Sequence, residues 1–328
     1  MNLKTRLAPS PTGALHLGNA RTFLINAALA RRNDWTTLLR IEDLDTPRTR
    51  IHAAQQAIED LAWLGLTWDE GPVYQTPRTH QYDAALLNLL ASGHAYYCTC
   101  SRRDVETAAS APHAADGSAV YPGTCRGRYA SAGDAYQHTG PERAPAVRFK
   151  VPPGQFTFHD GFAGVQNFDL ERGLGDFVIA RMPPGNAMGQ TPQAAYQLAV
   201  VVDDFQQQVT HVVRADDLLD STPRQLLIYE ALGQQAVAPA YVHLPLVVGP
   251  DGRRLAKRHG DTRLSAYREA GVPPEAVIGL VATWCGIAPE ATPMSFPAFA
   301  DRFDLAKLPP GPAVATAADY RRLLSFVA

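Results

Sequence analysis

Pro9-Ser10-Pro11-Thr12-Gly13-Ala14-Leu15-His16-Leu17-Gly18-Asn19 is a proline- and glycine-rich turn between two apolar stretches of different period. Before it, Leu3–Leu7 reads as a short strand. After it, Phe23, Leu24, Ala27 and Ala28 fall on one face of a helix that begins near Gly18. A strand, a glycine turn and a helix point backbone N–H groups and a positive dipole end at an anion, so a phosphate would fit there. His16 can add a hydrogen bond or a charge, and Gly18 lets a ligand approach the backbone closely. The same residues would also make a plain turn capped by a histidine.

Outward from this turn, Leu38–Ile41 is a second strand-like run. Ile51, Ala54, Ile58 and Leu61 mark a helix closed by Gly65. Thr76 and Pro77 read as an N-cap and first helical residue, with Leu86, Leu87 and Leu90 on the apolar face and Gly93 as the stop. Further strands are predicted at Tyr196–Val202, Val209–Arg214 and Val242–Val248, with a helix at about Pro223–Leu232. Between them the texture changes to cysteines, an Ala/Ser/Gly/Asp stretch at Ala108–Ala119 and short β-like pieces such as Val147–Val151. From about Leu264 the chain reads as helical, with proline breaks at Pro273–Pro274 and Pro309–Pro312. The expected fold class is α/β, a Rossmann-like parallel-sheet domain over 1–94 and 190–248. It is split by an insertion over 95–189 and followed by a loop and helical region over 249–328.

With 328 residues there is room for about two domains, and 46% hydrophobic against 19% charged residues excludes a disordered chain. A net charge of −2 excludes a generic basic coat, so nucleic-acid contacts have to be local. The longest apolar candidate, Ala276–Trp284, falls far short of the ~18 residues of a membrane span. Met1–Leu7 leads into prolines without an apolar signal core, so a cytoplasmic protein with no membrane partner is expected.

Two further groups carry chemistry. Gly249-Pro250-Asp251-Gly252-Arg253-Arg254-Leu255-Ala256-Lys257-Arg258-His259-Gly260 holds four cationic side chains in six positions between glycines. Such a loop could close over a polyphosphate and stabilise departing pyrophosphate, or simply be solvated. Cys98, Cys100 and Cys125 cluster while Cys285 stands alone, which suits one structural metal better than a disulfide framework. A closed zinc site needs a fourth ligand, for which His113 is the usual choice by residue type.

Taken together, the two loops resemble the signatures of class I aminoacyl-tRNA synthetases: His16-Leu17-Gly18-Asn19 is similar to HIGH and Arg254-Leu255-Ala256-Lys257-Arg258 to KMSKS. Their flanks resemble the glutamyl-tRNA synthetases. These are Arg6-Leu7-Ala8-Pro9-Ser10-Pro11-Thr12-Gly13, Leu39-Arg40-Ile41-Glu42-Asp43, Leu66-Thr67-Trp68-Asp69-Glu70-Gly71-Pro72, Val201-Val202-Asp203-Asp204, Arg214-Ala215-Asp216-Asp217-Leu218 and Thr222-Pro223-Arg224-Gln225. Arg254 replaces the usual first lysine, Ala256 removes a hydroxyl donor, and Asn19 replaces the last histidine of HIGH. Lys257 keeps the key lysine.

The resemblance implies ATP-dependent activation of L-glutamate, with His16 and Lys257 as catalytic residues. ATP would lie on His16, Gly18, Asn19 and Lys257, and Mg²⁺ would arrive with it. Glutamate would lie on Arg6, Ala8, Ser10, Glu42, Tyr196 and Arg214, and two arginines, a carboxylate and hydroxyls are the types that a carboxylate and an ammonium need. Asp203 and Asp204, placed after a strand, are expected to position a loop rather than bind metal.

Only 68 residues follow Gly260, too few for a large anticodon-binding domain. A short chain with Cys98-x-Cys100 and Tyr121-x-x-x-Cys125 resembles the glutamyl-Q tRNA(Asp) synthetase subfamily. That resemblance implies one structural Zn²⁺ on Cys98, Cys100, Tyr121 and Cys125, and transfer of glutamate to queuosine at the wobble position of tRNA(Asp) by a monomer. The competing expectations are a truncated glutamyl-tRNA synthetase that charges the tRNA 3′ end and a non-catalytic RNA-binding module.

Overall fold

The computed structural model describes residues 2–44, 51–108, 120–139, 143–183, 192–253, 255 and 262–327. Lys257 and the neighbouring Arg254, Ala256 and Arg258 lie outside the described residues, as does His113.

The first elements are β1 (Lys4–Leu7), α1 (Leu17–Arg32), β2 (Thr36–Ile41), α2 (Ile51–Trp63), β3 (Glu70–Tyr74) and α3 (Thr79–Ala91). Next come β4 (Ala95–Cys98), α4 (Arg102–Ala108), α5 (Ala132–Gln137), β5 (Ala146–Phe149), β6 (Gln155–Asp160), β7 (Gly164–Asp169), β8 (Val178–Arg181) and β9 (Gln193–Ala194). The remainder is α6 (Tyr196–Gln206), β10 (His211–Ala215), α7 (Ser221–Ala231), β11 (Ala240–Leu244), β12 (Val247–Val248), α8 (Leu264–Glu269), α9 (Pro274–Trp284), α10 (Phe296–Arg302), β13 (Ala313–Val314) and α11 (Ala317–Leu324).

Five strands form a parallel sheet in the order β11-β10-β1-β2-β3. From β1 the chain builds outward through β2 and β3, and after the intervening segment it returns to the other side of β1 with β10 and β11. The strand order therefore reverses between β1 and β10, and the crevice at the carboxyl ends of these strands is where open α/β sheets bind ligands. Between β3 and α6, strands β4, β5, β8 and β9 form a separate antiparallel sheet in that order, and β6 and β7 a hairpin. That sheet shares its core with the main body: Val147, Phe149 and Ile179 pack in one cluster with Leu86, Leu198, Val201 and Ile228 of α3, α6 and α7.

The parallel α/β expectation holds, and three local expectations need correction. Tyr196–Val202 is the start of helix α6, not a strand. Its Leu198–Asp204 stretch is buried throughout, so no polar face shows the helical period, and the β-branched Val200-Val201-Val202 run mimics a strand. Thr76 and Pro77 lie in a 3₁₀ turn, Thr76–Arg78, that precedes α3 instead of opening it. Val242–Val248 is two strands: Pro245 ends β11, and β12 pairs with β13 outside the parallel sheet. The helical C-terminal region is as expected. Ala276–Trp284 forms most of α9, buried in the same core as α1 and α10. No helix among the described residues is long and apolar enough to cross a membrane.

Candidate active site and thiolate cluster

Helix α1 begins at His16, whose Nδ1 accepts from the backbone N–H of Gly18 (3.1 Å) and of Asn19 (3.3 Å). Asn19 Oδ1 accepts in return from His16 N–H (3.0 Å), completing a capping box. An accepting Nδ1 carries no proton, so the neutral ring presents Nε2–H as a donor. The capping role and a ligand role are therefore compatible. Gly18 serves the cap directly: a Cβ there would stand 3.0 Å from the His16 ring. The segment after the basic loop returns to this turn, with Leu17 N–H donating to Thr262 O (3.0 Å) and Leu264 N–H to Leu15 O (2.8 Å). Before the loop, Val247 lies 3.6 Å from where that Cβ would be. Both flanks of the basic loop are thus fixed beside His16.

A cavity of about 210 Å³ at the strand reversal is lined by Arg6, Ala8, Asn19, Glu42, Tyr196 and Arg214, among others. A second, of about 440 Å³, is lined by Ala8, Ser10, Thr12, Gly13, His16, Asn19, Glu42 and Tyr196. The structure thus brings together every expected glutamate residue along with His16 and Asn19. Gly18 sits behind them under the His16 ring.

The charges in this crevice are arranged in pairs. Arg40, fully buried, donates to Asp204 Oδ1 (2.7 Å) and to Glu42 Oε1 (3.1 Å). Burial works against the Arg40 charge, but Asp204, Glu42 and Asp203 outweigh it and hold the guanidinium protonated. Burial pushes the Glu42 carboxyl above its ordinary range, against the pull of Arg40 and Arg6. A ligand ammonium beside Glu42 would oppose that rise. Arg6, only 4% exposed, reaches Asp204 at 3.6 Å and Val213 O at 3.4 Å, and its Nε has no hydrogen-bond partner among the described residues. The Nε faces Asp204, while the residue itself lines the cavity. Burial also raises the Tyr196 hydroxyl, which stays protonated and able to donate.

Arg214 is held more firmly. Its Nε donates to His243 Nε2 (2.9 Å), one terminal nitrogen to Gln225 Oε1 (3.0 Å) and the other to Thr222 Oγ1 (2.8 Å). Two longer contacts go to Tyr196 Oη (3.4 Å) and Leu218 O (3.3 Å). The three short bonds come from residues outside the cavity lining, and the two long ones from residues within it. The guanidinium is braced from behind and loosely engaged in front, where a carboxylate would replace the weak contacts.

Sequence reasoning placed Asp203 and Asp204 after a strand and gave them a positioning role; they have one, but from helix α6. Asp203 accepts from Arg78 (2.7 Å), Gln75 (2.8 Å) and Tyr82 (2.8 Å), while Asp204 holds Arg40. Arg40, Gln225, His243 and Asp160 were missed. Arg40 was visible as the cation two residues before Glu42 on one strand face; His243 and Asp160 had no local signal.

Between β4 and α5, the Sγ atoms of Cys98, Cys100 and Cys125 lie within 4.8 Å of one another. The Tyr121 hydroxyl is 3.3 Å from Cys98 Sγ and 3.5 Å from Cys100 Sγ, and Cys100 and Cys125 Sγ are 3.5 Å apart. Four ligands about a tetrahedral ion with ~2.3 Å bonds stand roughly 3.5–3.8 Å apart, so the three sulfurs and the phenol oxygen match a closed site. Arg148 stacks 3.9 Å over the Tyr121 ring and donates to Cys98 Sγ (3.2 Å), offsetting part of the negative charge that three thiolates would bring.

The family model for class I tRNA synthetases (E and Q), catalytic domain, matches residues 2–296. The chain belongs to this family. Among its synthetase relatives, the glutamyl-Q tRNA(Asp) synthetase of Rhodopirellula baltica is 49% identical over 87% of this chain and 86% of that protein. The protein of the same name from Symbiobacterium thermophilum is 47% identical over 94% of each. Glutamate--tRNA ligase 2 of Koribacter versatilis is 42% identical, but the match spans 89% of this chain and 58% of that ligase. A solved glutamate tRNA ligase from Elizabethkingia meningosepticum, in complex with its amino acid, superposes with a TM-score of 0.78 at 26% identity, over 98% of this chain and 69% of that one. The resemblance read from the HIGH-like and KMSKS-like stretches and their flanks is borne out.

Proposed function

We propose that this synthetase activates L-glutamate with ATP and transfers it to a hydroxyl of the queuosine base at the wobble position of tRNA(Asp). The observation that carries this reading is the name shared by relatives 42–49% identical over most of both chains. In the first step a glutamate carboxylate oxygen attacks the α-phosphorus and pyrophosphate leaves. In the second, an acceptor hydroxyl attacks the carbonyl carbon, AMP leaves and the hydroxyl proton is released.

In this scheme Arg6 and Arg214 engage glutamate's carboxylates, Glu42 takes the ammonium, and Tyr196 and Ser10 supply hydrogen bonds. The α1 N-terminus and His16 Nε2–H face the nucleotide, and Lys257 bears on the charge that develops on pyrophosphate. Mg²⁺ enters with ATP. Cys98, Cys100, Cys125 and Tyr121 hold one structural zinc away from the reacting atoms. A tRNA acceptor implies work in the cytoplasm.

An acceptor path supports the RNA half of this reading. A groove of about 1120 Å³ beside the thiolate cluster is lined by Arg102, Arg143, Arg148, Arg181 and Arg224. It shares Arg102, Arg181 and Gln193 with a cavity of about 600 Å³ that reaches Ser10, Glu42 and Tyr196. The Arg102 and Arg181 side chains are exposed and make no hydrogen bond or ion pair among the described residues. Replacing both by alanine is expected to raise the KM for tRNA about tenfold. The slope of log affinity against log salt should become shallower by roughly one to two, with glutamate-dependent pyrophosphate exchange unchanged. An unaltered salt slope would take the RNA backbone off these two arginines.

The decisive experiment offers labelled glutamate to tRNA(Asp) with and without queuosine and maps the label after nuclease digestion. Label confined to the queuosine-bearing fragment is expected. Label on unmodified tRNA, released with the terminal adenosine, would instead identify a synthetase that charges the 3′ end.

A further inference from the structure

The β6–β7 hairpin belongs to the segment between the halves of the parallel sheet, yet its tip is pressed onto edge strand β11. Gly161 N–H donates to Tyr241 O (2.8 Å), and a Cβ at Gly161 would meet Val242 Cγ2 at 3.0 Å. The residue at that tip is Asp160, fully buried. Its Oδ1 accepts from the N–H groups of Phe162 (2.9 Å), Ala163 (2.8 Å) and His243 (3.1 Å). Its Oδ2 lies 2.6 Å from His243 Nδ1.

We infer that Asp160 and His243 are positioning residues for Arg214, through a relay that runs from the hairpin to the guanidinium facing glutamate. The inference rests on the reading of Arg214 as a glutamate contact. An ionised carboxylate only accepts, so Asp160 keeps the His243 proton on Nδ1. Burial holds the His243 ring neutral, against the pull of Asp160. Nε2 is then a bare acceptor, and it takes the Arg214 Nε–H at 2.9 Å. Thr222 Oγ1, 3.2 Å from the same Nε2, donates to it while accepting from Arg214 at 2.8 Å. The wrong tautomer would aim Nε2–H at the Arg214 N–H, two donors face to face in a buried site. The hairpin thereby fixes the plane of the guanidinium without touching the ligand.

Asp160→Asn tests this with little change of shape. Its amide oxygen can keep the three backbone bonds at Oδ1, which places the NH₂ group against His243 Nδ1 and drives the ring proton to Nε2. A comparable tautomer reversal from one carboxylate-to-amide change is known at catalytic histidines. The expected result is a KM for glutamate raised about tenfold in pyrophosphate exchange, with kcat changed less than about threefold and the KM for ATP unchanged. Nitrogen NMR of the folded variant should show the His243 proton moved from Nδ1 to Nε2. Adding Asp160→Asn to His243→Phe should change the glutamate KM by less than about twofold, because the relay is already cut.

Glutamate and ATP KM values raised equally, or full additivity of the two substitutions, would overturn the relay and leave Asp160 a fold residue. A normal glutamate KM in Asp160→Asn with a raised one in Arg214→Ala would refute the relay alone. A normal glutamate KM in Arg214→Ala would refute the glutamate site itself.

Discussion

Arg214→Ala is expected to lower kcat/KM for glutamate activation by two to three orders of magnitude, mostly through KM. The guanidinium is 5% exposed and is the most heavily braced cation lining the cavity, with His243, Gln225 and Thr222 behind it. A charge-assisted, two-pronged contact with a carboxylate in such a site is worth about 3–4 kcal/mol when one partner is deleted, and each 1.4 kcal/mol is tenfold. Arg6 remains in the variant, so the loss should stop short of inactivity. Lysine should restore little, because a single ammonium cannot reach His243, Gln225 and Thr222 and still present two donors forward. Glutamate-dependent pyrophosphate exchange across a glutamate titration measures this, with the KM for ATP and the thermal midpoint as controls for folding. A glutamate KM within about threefold of wild type would remove Arg214 from the site.

The frame of this site was legible in the sequence because local chemistry marks it. The His16 turn, the Arg40-Ile41-Glu42 strand end and the Arg214 strand end each sit where a short apolar run stops, and the parallel sheet brings such ends together. What stayed hidden was tertiary. Helix α6 looked like a strand because it is buried on every side, so its period carries no polar face. The bracing of Arg214 depends on Asp160, 54 residues earlier, and no spacing rule links a hairpin tip to a strand across the sheet reversal. Tyr121 as the proposed fourth ligand illustrates a third case. Residue type alone favours His113, and only family resemblance selected the phenol that the structure places against all three cysteines.

Cys125→Ser is expected to remove the metal and, with it, most acceptor transfer, by about 10²-fold or more, while glutamate activation falls much less. Among the described residues the hydrophobic cluster around the site is small, with Cys98, Val105, Tyr121, Cys125, Tyr129 and Ala135 as its buried members. So little apolar area stabilises this part of the chain weakly, and a bound ion would supply the remainder. The same cluster borders the groove proposed for RNA. Arg148 is held by Cys98 Sγ and the Tyr121 ring, and Cys100 and Tyr121 themselves line the groove. The residues proposed to hold glutamate sit instead at the ends of β1, β2 and β10, braced by Asp204 and His243, and among the described residues none of these hydrogen-bonds a cysteine. Metal analysis of purified wild type should give one zinc per chain, with none in Cys125→Ser and a much weaker hold in Tyr121→Phe. His113→Ala should keep it. Full zinc in Tyr121→Phe with loss in His113→Ala would transfer the fourth ligand to His113. Zinc-free wild type with normal transfer would reduce the four residues to a packed cluster of thiols and a phenol.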